Sequence, residues 1–254
     1  VARRLLILWC ALGMLLPALG QACSLRLPLI NMTLPKPGVL PPGLDLDLAD
    51  AILREAGCEL VLSDGLSRPR RDLMFKMGQA DLVLAASKTP EREQYARFSL
   101  PYRTEVVRLF AMQGRRSHFR AVSGFDDLQR MGAHLLTPDG GWYGPLFAAA
   151  QPALQASGQL VGFKTFDQGL RMLEAGRADL IMGDALGLQK AAQRAGIAIA
   201  PLDFIVLRAP VHLMVNRTTT SEQDLQRINA AIGQLEANGT LKAIRHRYCD
   251  SCDP

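Results

Sequence analysis

Short apolar runs alternate with stretches in which apolar residues recur every third or fourth position, from about residue 25 to residue 246. The runs fit buried strands, and the longer spacing fits helices that bury one face. The pattern predicts a strand over 25–32, a Pro/Gly loop over 35–43 and a helix from 43 through 56. Asp45 or Asp47 is placed to cap that helix, and Gly57 to end it. A strand over 59–62, a helix over 70–77 closed by Gly78 and a strand over 81–86 follow. This βαβαβ order implies a parallel sheet with right-handed crossovers.

An extended stretch over 106–112 is broken at Gln113-Gly114, and a second set begins beyond it. Helices are predicted near 125–129, 144–156, 167–175 and 185–194, with strands over 133–136, 160–163 and 179–182. Residues 204–215 are extended again, and two amphipathic helices, 222–237 and 240–246, follow with Asn238-Gly239 between them. Two sets joined by two extended crossings predict an α/β protein. Its two lobes of mixed sheet, flanked by helices, are joined by two hinge strands. The expected division is 23–110 with 206–254 for the first lobe and 111–205 for the second. One continuous doubly wound domain fits the same alternation.

Residues 1–22 stand apart. Arg3 and Arg4 precede an apolar core, 5–16, too short to span a bilayer, and Pro17 breaks it. Small residues allow cleavage before Gln21 or before Cys23, so a signal peptide and an exported, periplasmic protein are expected. Cys23 is also a candidate lipid anchor, although Gly20 stands where such a motif wants Leu. The formal charge of +5 drops to about +3 without the two arginines. With no basic runs, nucleic acid is not an expected partner.

Of five cysteines, Cys10 leaves with the leader, and four remain for an oxidising compartment. Cys23 and Cys58 each open a predicted strand, and neighbouring strand starts are close enough to bridge. Cys249 and Cys252 are placed for a local staple. The expected pairs are therefore Cys23–Cys58 and Cys249–Cys252, although four cysteines allow three pairings. A zinc site or a thioredoxin-like motif fits these positions less well, and neither a metal nor a cofactor is expected.

The chemistry concentrates in DLVLAASKTPEREQYARFSLPY, residues 81–102. A buried strand ends there at Ser87 and Thr89, and Pro90-Glu91-Arg92 starts a helix. Free backbone N–H groups, two hydroxyls and one guanidinium at such a corner suit a small carboxylate. A plain strand–helix corner with a surface arginine is the bland alternative.

This stretch resembles the family 3 periplasmic solute-binding proteins of the polar amino acid type, with their S/T-x-T-P-E-R and F-S-x-P-Y. Gly43-Leu-Asp-Leu-Asp-Leu48, Met77-Gly-Gln-Ala-Asp81, Ala175-Gly-Arg-Ala-Asp179 and Leu235-Glu-Ala-Asn-Gly-Thr-Leu241 extend the resemblance in order along the chain. It implies the type II periplasmic binding fold, a monomer that closes on a small solute, does no chemistry and delivers to an inner-membrane ABC permease. It also implies that Arg92, helped by Ser87, takes a ligand carboxylate and that Asp184 takes an amine. Thr137 is the nearest candidate for a further carboxylate contact. A buried zwitterion needs both of its charges paired, which makes that arrangement physically sensible. A helix N-cap is the plain alternative for Asp184, and a loop position for Thr137.

The departures bear on the ligand. Asn31-Met32-Thr33-Leu34 stands where the family carries Y-x-P-F, with Thr33 a remaining polar candidate, and Arg68 replaces a pocket aromatic. Trp142 and Tyr143, beside Gly140-Gly141, are placed to replace the missing aromatics. Arg68 with Arg92 suits a diacid or another anion as well as an amino acid. Two other readings stand: a dehydratase-like enzyme on the same fold, and a ligand-sensing module. No Ser/His/Asp spacing, H-E-x-x-H or phosphate loop occurs, and His118, His134, His212 and His246 are scattered.

Overall fold

The computed structural model describes residues 23–31, 34 and 40–248. The expected leader, Thr33, Cys249 and Cys252 lie outside the described residues. Strands β1 (Cys23–Ile30) and β2 (Cys58–Leu66) pair in parallel with Cys23 opposite Cys58. That register brings the two Cα atoms to 4.5 Å and the expected Cys23–Cys58 disulfide closes. Between them α1 (Leu44–Glu55) buries Leu48, Ile52 and Leu53 on one face. Its N-cap is Gly43, with no side-chain cap. Neither Asp45 nor Asp47 caps it, because Asp45 serves Tyr102 and Arg103 instead, and Asp47 accepts from Tyr248.

Helix α2 (Arg68–Lys76) begins earlier than its spacing predicts, because Pro69 is well suited to a first turn. β3 (Leu82–Ala86), the one-turn α3 (Pro90–Glu93) and the long β4 (Ala96–Met112) follow. Beyond β4 come α4 (Phe125–Met131), β5 (Leu135–Pro138), α5 (Pro145–Ala156), β6 (Leu160–Phe163) and α6 (Phe166–Glu174). The chain continues with β7 (Leu180–Asp184), α7 (Ala185–Ala195), the long β8 (Ile199–Asn216), α8 (Glu222–Ala237) and α9 (Thr240–Tyr248). The larger sheet has the order β3-β8-β4-β7-β5-β6. Strand β5 is parallel to β6 and β7, whereas β3–β8, β4–β8 and β4–β7 are antiparallel. The parallel expectation therefore holds for β1 with β2, which form a sheet of their own, and for β5 with β6 and β7, but not for β3, which joins the larger sheet antiparallel to β8 and makes it mixed together with β4.

The two G-x-x-D motifs do the same job in both halves. The Asp81 carboxylate accepts the backbone N–H of Arg26 at 2.8 Å, and its own N–H donates to the Arg26 carbonyl at 2.9 Å. Asp179 repeats this with His134, at 2.9 and 3.0 Å. Each aspartate thus ties the start of its strand to the neighbouring strand. Burial pushes Asp81 up, but bonds from Arg26 and Thr219 outweigh it and hold the carboxyl below its ordinary range.

One core gathers Leu25, Leu48, Ile52, Val211, Ile228 and Leu241. Val107, Leu109, Leu135, Leu180 and Val206 pack in another, and Phe110, Leu136 and Ile181 in a third beside it. Val107 and Leu109 of β4 and Val206 of β8 thus share one core, and Phe110 lies in the core beside it. The first half of β4 escaped the apolar pattern because Pro101 interrupts it, and the register shifts on either side of that proline. Among the described residues no helix is long and apolar enough to cross a membrane.

Candidate binding site at the strand crossing

A chain of polar contacts runs across the crossing. The N–H of Ala85, held at φ 49°, donates to Tyr102 Oη at 2.8 Å, and Tyr102 donates to Asp45 Oδ1 at 2.7 Å. Arg103 grips Asp45 with Nε and Nη2 at 2.7 and 2.8 Å. Its Nη1 reaches Asp184 Oδ2 at 3.4 Å. Asp184 also accepts the Gly187 N–H at 2.8 Å and so caps α7. Groups from α1, β3 and β4 in the first lobe are joined in this way to the end of β7 in the second. One guanidinium has opposite outcomes on its two acids. Burial pushes Asp45 up, but the Arg103 charge and bonds win and its carboxyl lies below the usual range. For Asp184 burial wins over Arg103, and the carboxyl lies above it.

Glu105 lies two residues beyond Arg103 on β4, hence on the same face of the strand. It has no hydrogen-bond donor and no ion-pair partner among the described residues. Burial, with the Asp184 charge adding to it, pushes its carboxyl up to about 7. Arg103 and Arg68 pull the other way.

The opposite wall is cationic. Arg71, 7% exposed, pairs with Asp72 at 2.6 Å. Arg92 donates from Nη1 to the Ser87 carbonyl at 2.9 Å, so the structure brings these two expected residues together. The corner leaves fewer free N–H groups than expected, because the Thr89 hydroxyl accepts the Arg92 N–H at 3.3 Å. With one turn, α3 also adds little dipole. Arg68 has no ion pair or hydrogen bond among the described residues, and its Cδ lies 3.3 Å from where a Cβ on Gly140 would stand.

A cavity of about 290 Å³ is lined by Asn31, Ser67, Arg68 and Pro69 on one side and by Pro138, Asp139 and Lys164 on the other. Asn31 Nδ2 spans it to the Lys164 carbonyl at 2.9 Å. Thr137 is buried at the end of β5, just before Pro138. Of the loop aromatics, Tyr143 is the one whose hydroxyl feels Arg68, Glu105, Arg71 and Arg92. Burial is the main cause that pushes it up. Trp142 is half-buried, with no polar or ring contact among the described residues.

Sequence reasoning missed Arg103 and Glu105, and gave Asp45 a capping role. The available signal was two charged residues two positions apart, and so on one face of an extended chain, directly before the apolar run from Val106 to Met112. Cys23, Cys58 and Asp224 bring potential ligand atoms within 4.8 Å, but the two sulfurs are bonded to each other, which removes them as thiolate ligands.

Residues 31–251 match the bacterial extracellular solute-binding proteins, family 3. A crystal structure of the amino acid ABC transporter substrate-binding protein AbpA from Streptococcus pneumoniae, bound to L-arginine, has a TM-score of 0.70 at 22% identity. The match covers 91% of this chain and 97% of that one. The GluR0 ligand-binding core from Nostoc punctiforme, in complex with L-glutamate, has a TM-score of 0.67 at 22% identity, covering 90% and 98%. A curated relative, the membrane-bound lytic murein transglycosylase F of Ectopseudomonas mendocina, is 28% identical over 229 residues. The match covers 83% of this chain and only 42% of the relative.

Proposed function

The chain belongs to the bacterial extracellular solute-binding proteins, family 3, and from that membership we propose that it captures a small polar solute between its lobes and delivers it to an ABC permease. The solute is an amino acid or a related carboxylate. The protein acts in the periplasm, as a monomer, after its leader is removed, and without catalysing a reaction. The observation that carries this reading is that Arg68, which has no ion pair among the described residues, Arg92, whose guanidinium bonds the Ser87 carbonyl, and Glu105, which has no hydrogen-bond donor among them, all lie close enough to act on the Tyr143 hydroxyl beside the strand crossing. In this assignment Arg92 and Ser87 hold the solute carboxylate, Arg68 and Thr137 assist, and Asp184 stands at the amine end. Trp142, and Thr33 outside the described residues, complete the set. Buried charges persist only when paired, and a dipolar solute pairs both ends at once. The arginine bound to AbpA and the glutamate bound to the GluR0 core support an amino acid class.

Thermal-shift screening across amino acids, diacids and amines, with turnover assayed for each hit, tests the reading. A saturable shift with an amino acid or carboxylate, and no product, is expected. Shifts with none of them, or steady conversion of a hit, contradict it. The transglycosylase relative favours a second reading, a ligand-sensing module coupled to a wall-cleaving enzyme. Stimulation of a reconstituted permease's ATPase by the loaded protein would decide for transport. Its absence, with ligand-dependent binding to a transglycosylase domain, would decide for sensing.

A further inference from the structure

The cavity of about 290 Å³ is walled by groups from both lobes and keeps two cations uncompensated. Arg68 has no ion pair or hydrogen bond among the described residues, and the Lys164 ammonium across the cavity has none either. Asp139 is the acid of this lining, so positive groups outnumber negative ones by two to one. Its carboxylate lies over Gly162 of β6, where a Cβ would collide with Oδ1. The Arg68 stem is seated against Gly140, 3.3 Å from where a Cβ there would stand. The first turn of α2 adds to the charge, since Arg68, Arg70 and Arg71 stand in it and no acid does. A cation at that end opposes the helix dipole, and an incoming anion relieves both. Arg92 is a separate anchor: it bonds the Ser87 carbonyl and does not line this cavity, yet it and Arg68 both act on the Arg71 guanidinium. Arg71 itself is matched by Asp72. Two separate points for an anion therefore lie within electrostatic reach of one another. We propose that the cavity holds a second carboxylate of the solute, between Arg68 and Lys164, so that the protein selects solutes with two carboxylates over neutral or cationic amino acids. This rests on the solute-binding reading above, and it gives Arg68 a role of its own beyond assisting Arg92. A neutral or cationic end would leave Arg68 desolvated and unmatched once the solute covers it.

Two kinds of solute offer two carboxylates, an acidic amino acid and a plain dicarboxylate. The test is calorimetric titration of the full chain, as wild type and as Arg68→Gln, with L-glutamate, glutarate, L-glutamine and L-arginine. Glutamate differs from glutamine by the one charge that this cavity would read. Wild type should bind glutamate, glutarate or both about tenfold more tightly, or better, than glutamine and arginine. Glutamate as the tighter of the two would mean that an amine is held as well, and glutarate that none is needed. Arg68→Gln should erase the preference, with the diacids losing about tenfold more affinity than glutamine does. Arg68 makes no bond among the described residues, so the variant should melt with wild type. The preference is also read on the wild type alone, so it stands even where the variant folds poorly. The inference is overturned if glutamine or arginine binds wild type as tightly as both diacids, or if Arg68→Gln keeps the wild-type preference. In either case the binding itself upholds the solute-binding reading. If none of the four probes binds, that reading falls, and this inference with it.

Discussion

In the proposed reading Arg92 carries most of the recognition, and it and Glu105 each answer to a substitution. Among the described residues Arg92 makes a single side-chain bond, to the Ser87 carbonyl, so its removal should leave folding nearly intact. Arg92→Ala is expected to weaken binding of the tightest solute by about 2–5 kcal/mol, the cost of stripping one partner from a buried charge pair. Arg92→Lys should recover little of this, since an ammonium cannot reproduce two parallel donors. Calorimetry on both variants checks it, and wild-type affinity in Arg92→Ala would move the carboxylate to Arg68. Glu105 tests the other end through stability. The folded chain keeps the Glu105 proton up to about pH 7, whereas an ordinary glutamate releases it near 4.5. Between those values the folded state holds more protons than the unfolded one, so stability falls as pH rises. Glu105→Gln should therefore raise the melting temperature at pH 8, by up to about 3 kcal/mol of stability, and change little at pH 4. Equal melting of the two proteins at pH 8 would show that Glu105 is not strained.

At the scale of elements, the disulfide sits at the opposite end of β1 from Asn31 and the cavity. It closes a separation of 35 residues, which in the chain-entropy account corresponds to about 4 kcal/mol. Replacing Cys23 and Cys58 together by Ser should lower stability by about 2–4 kcal/mol in urea melts while solute affinity stays within twofold. A large loss of affinity would mean that the strand pair transmits to the cleft. This bond was legible in the sequence because both cysteines open predicted strands, and parallel neighbours start side by side. The helices were legible for a similar local reason: α1 and α8 bury Leu48 and Ile52, Ile228 and Ile232 at spacings a helix alone dictates. The turn between α8 and α9 was legible too, because Gly239 at φ 79° supplies the left-handed step. What stayed hidden was non-local. Asp45, Arg103 and Asp184 meet from positions far apart in the chain, and no window of sequence holds all three. Pro101 hid the first half of β4, and with it the placement of Arg103 and Glu105 at the crossing.

For the whole molecule, the account rests on two lobes joined by β4 and β8, with groups from both around one cleft. Contacts already bridge them: Asn31 to the Lys164 carbonyl at 2.9 Å, Arg103 to Asp184 at 3.4 Å, and Arg68 against Gly140. A solute that pairs Arg92 on one side and the acids of the crossing on the other adds free energy only to the arrangement that brings both sides together. An affinity near micromolar corresponds to about −8 kcal/mol, ample to bias an opening equilibrium of a few kcal/mol. Small-angle scattering, with and without saturating solute from the screen, tests this most directly. The account predicts a smaller radius of gyration for the loaded protein, with the shift lost in Arg92→Ala. An identical scattering profile at saturation would contradict capture by closure of the two lobes.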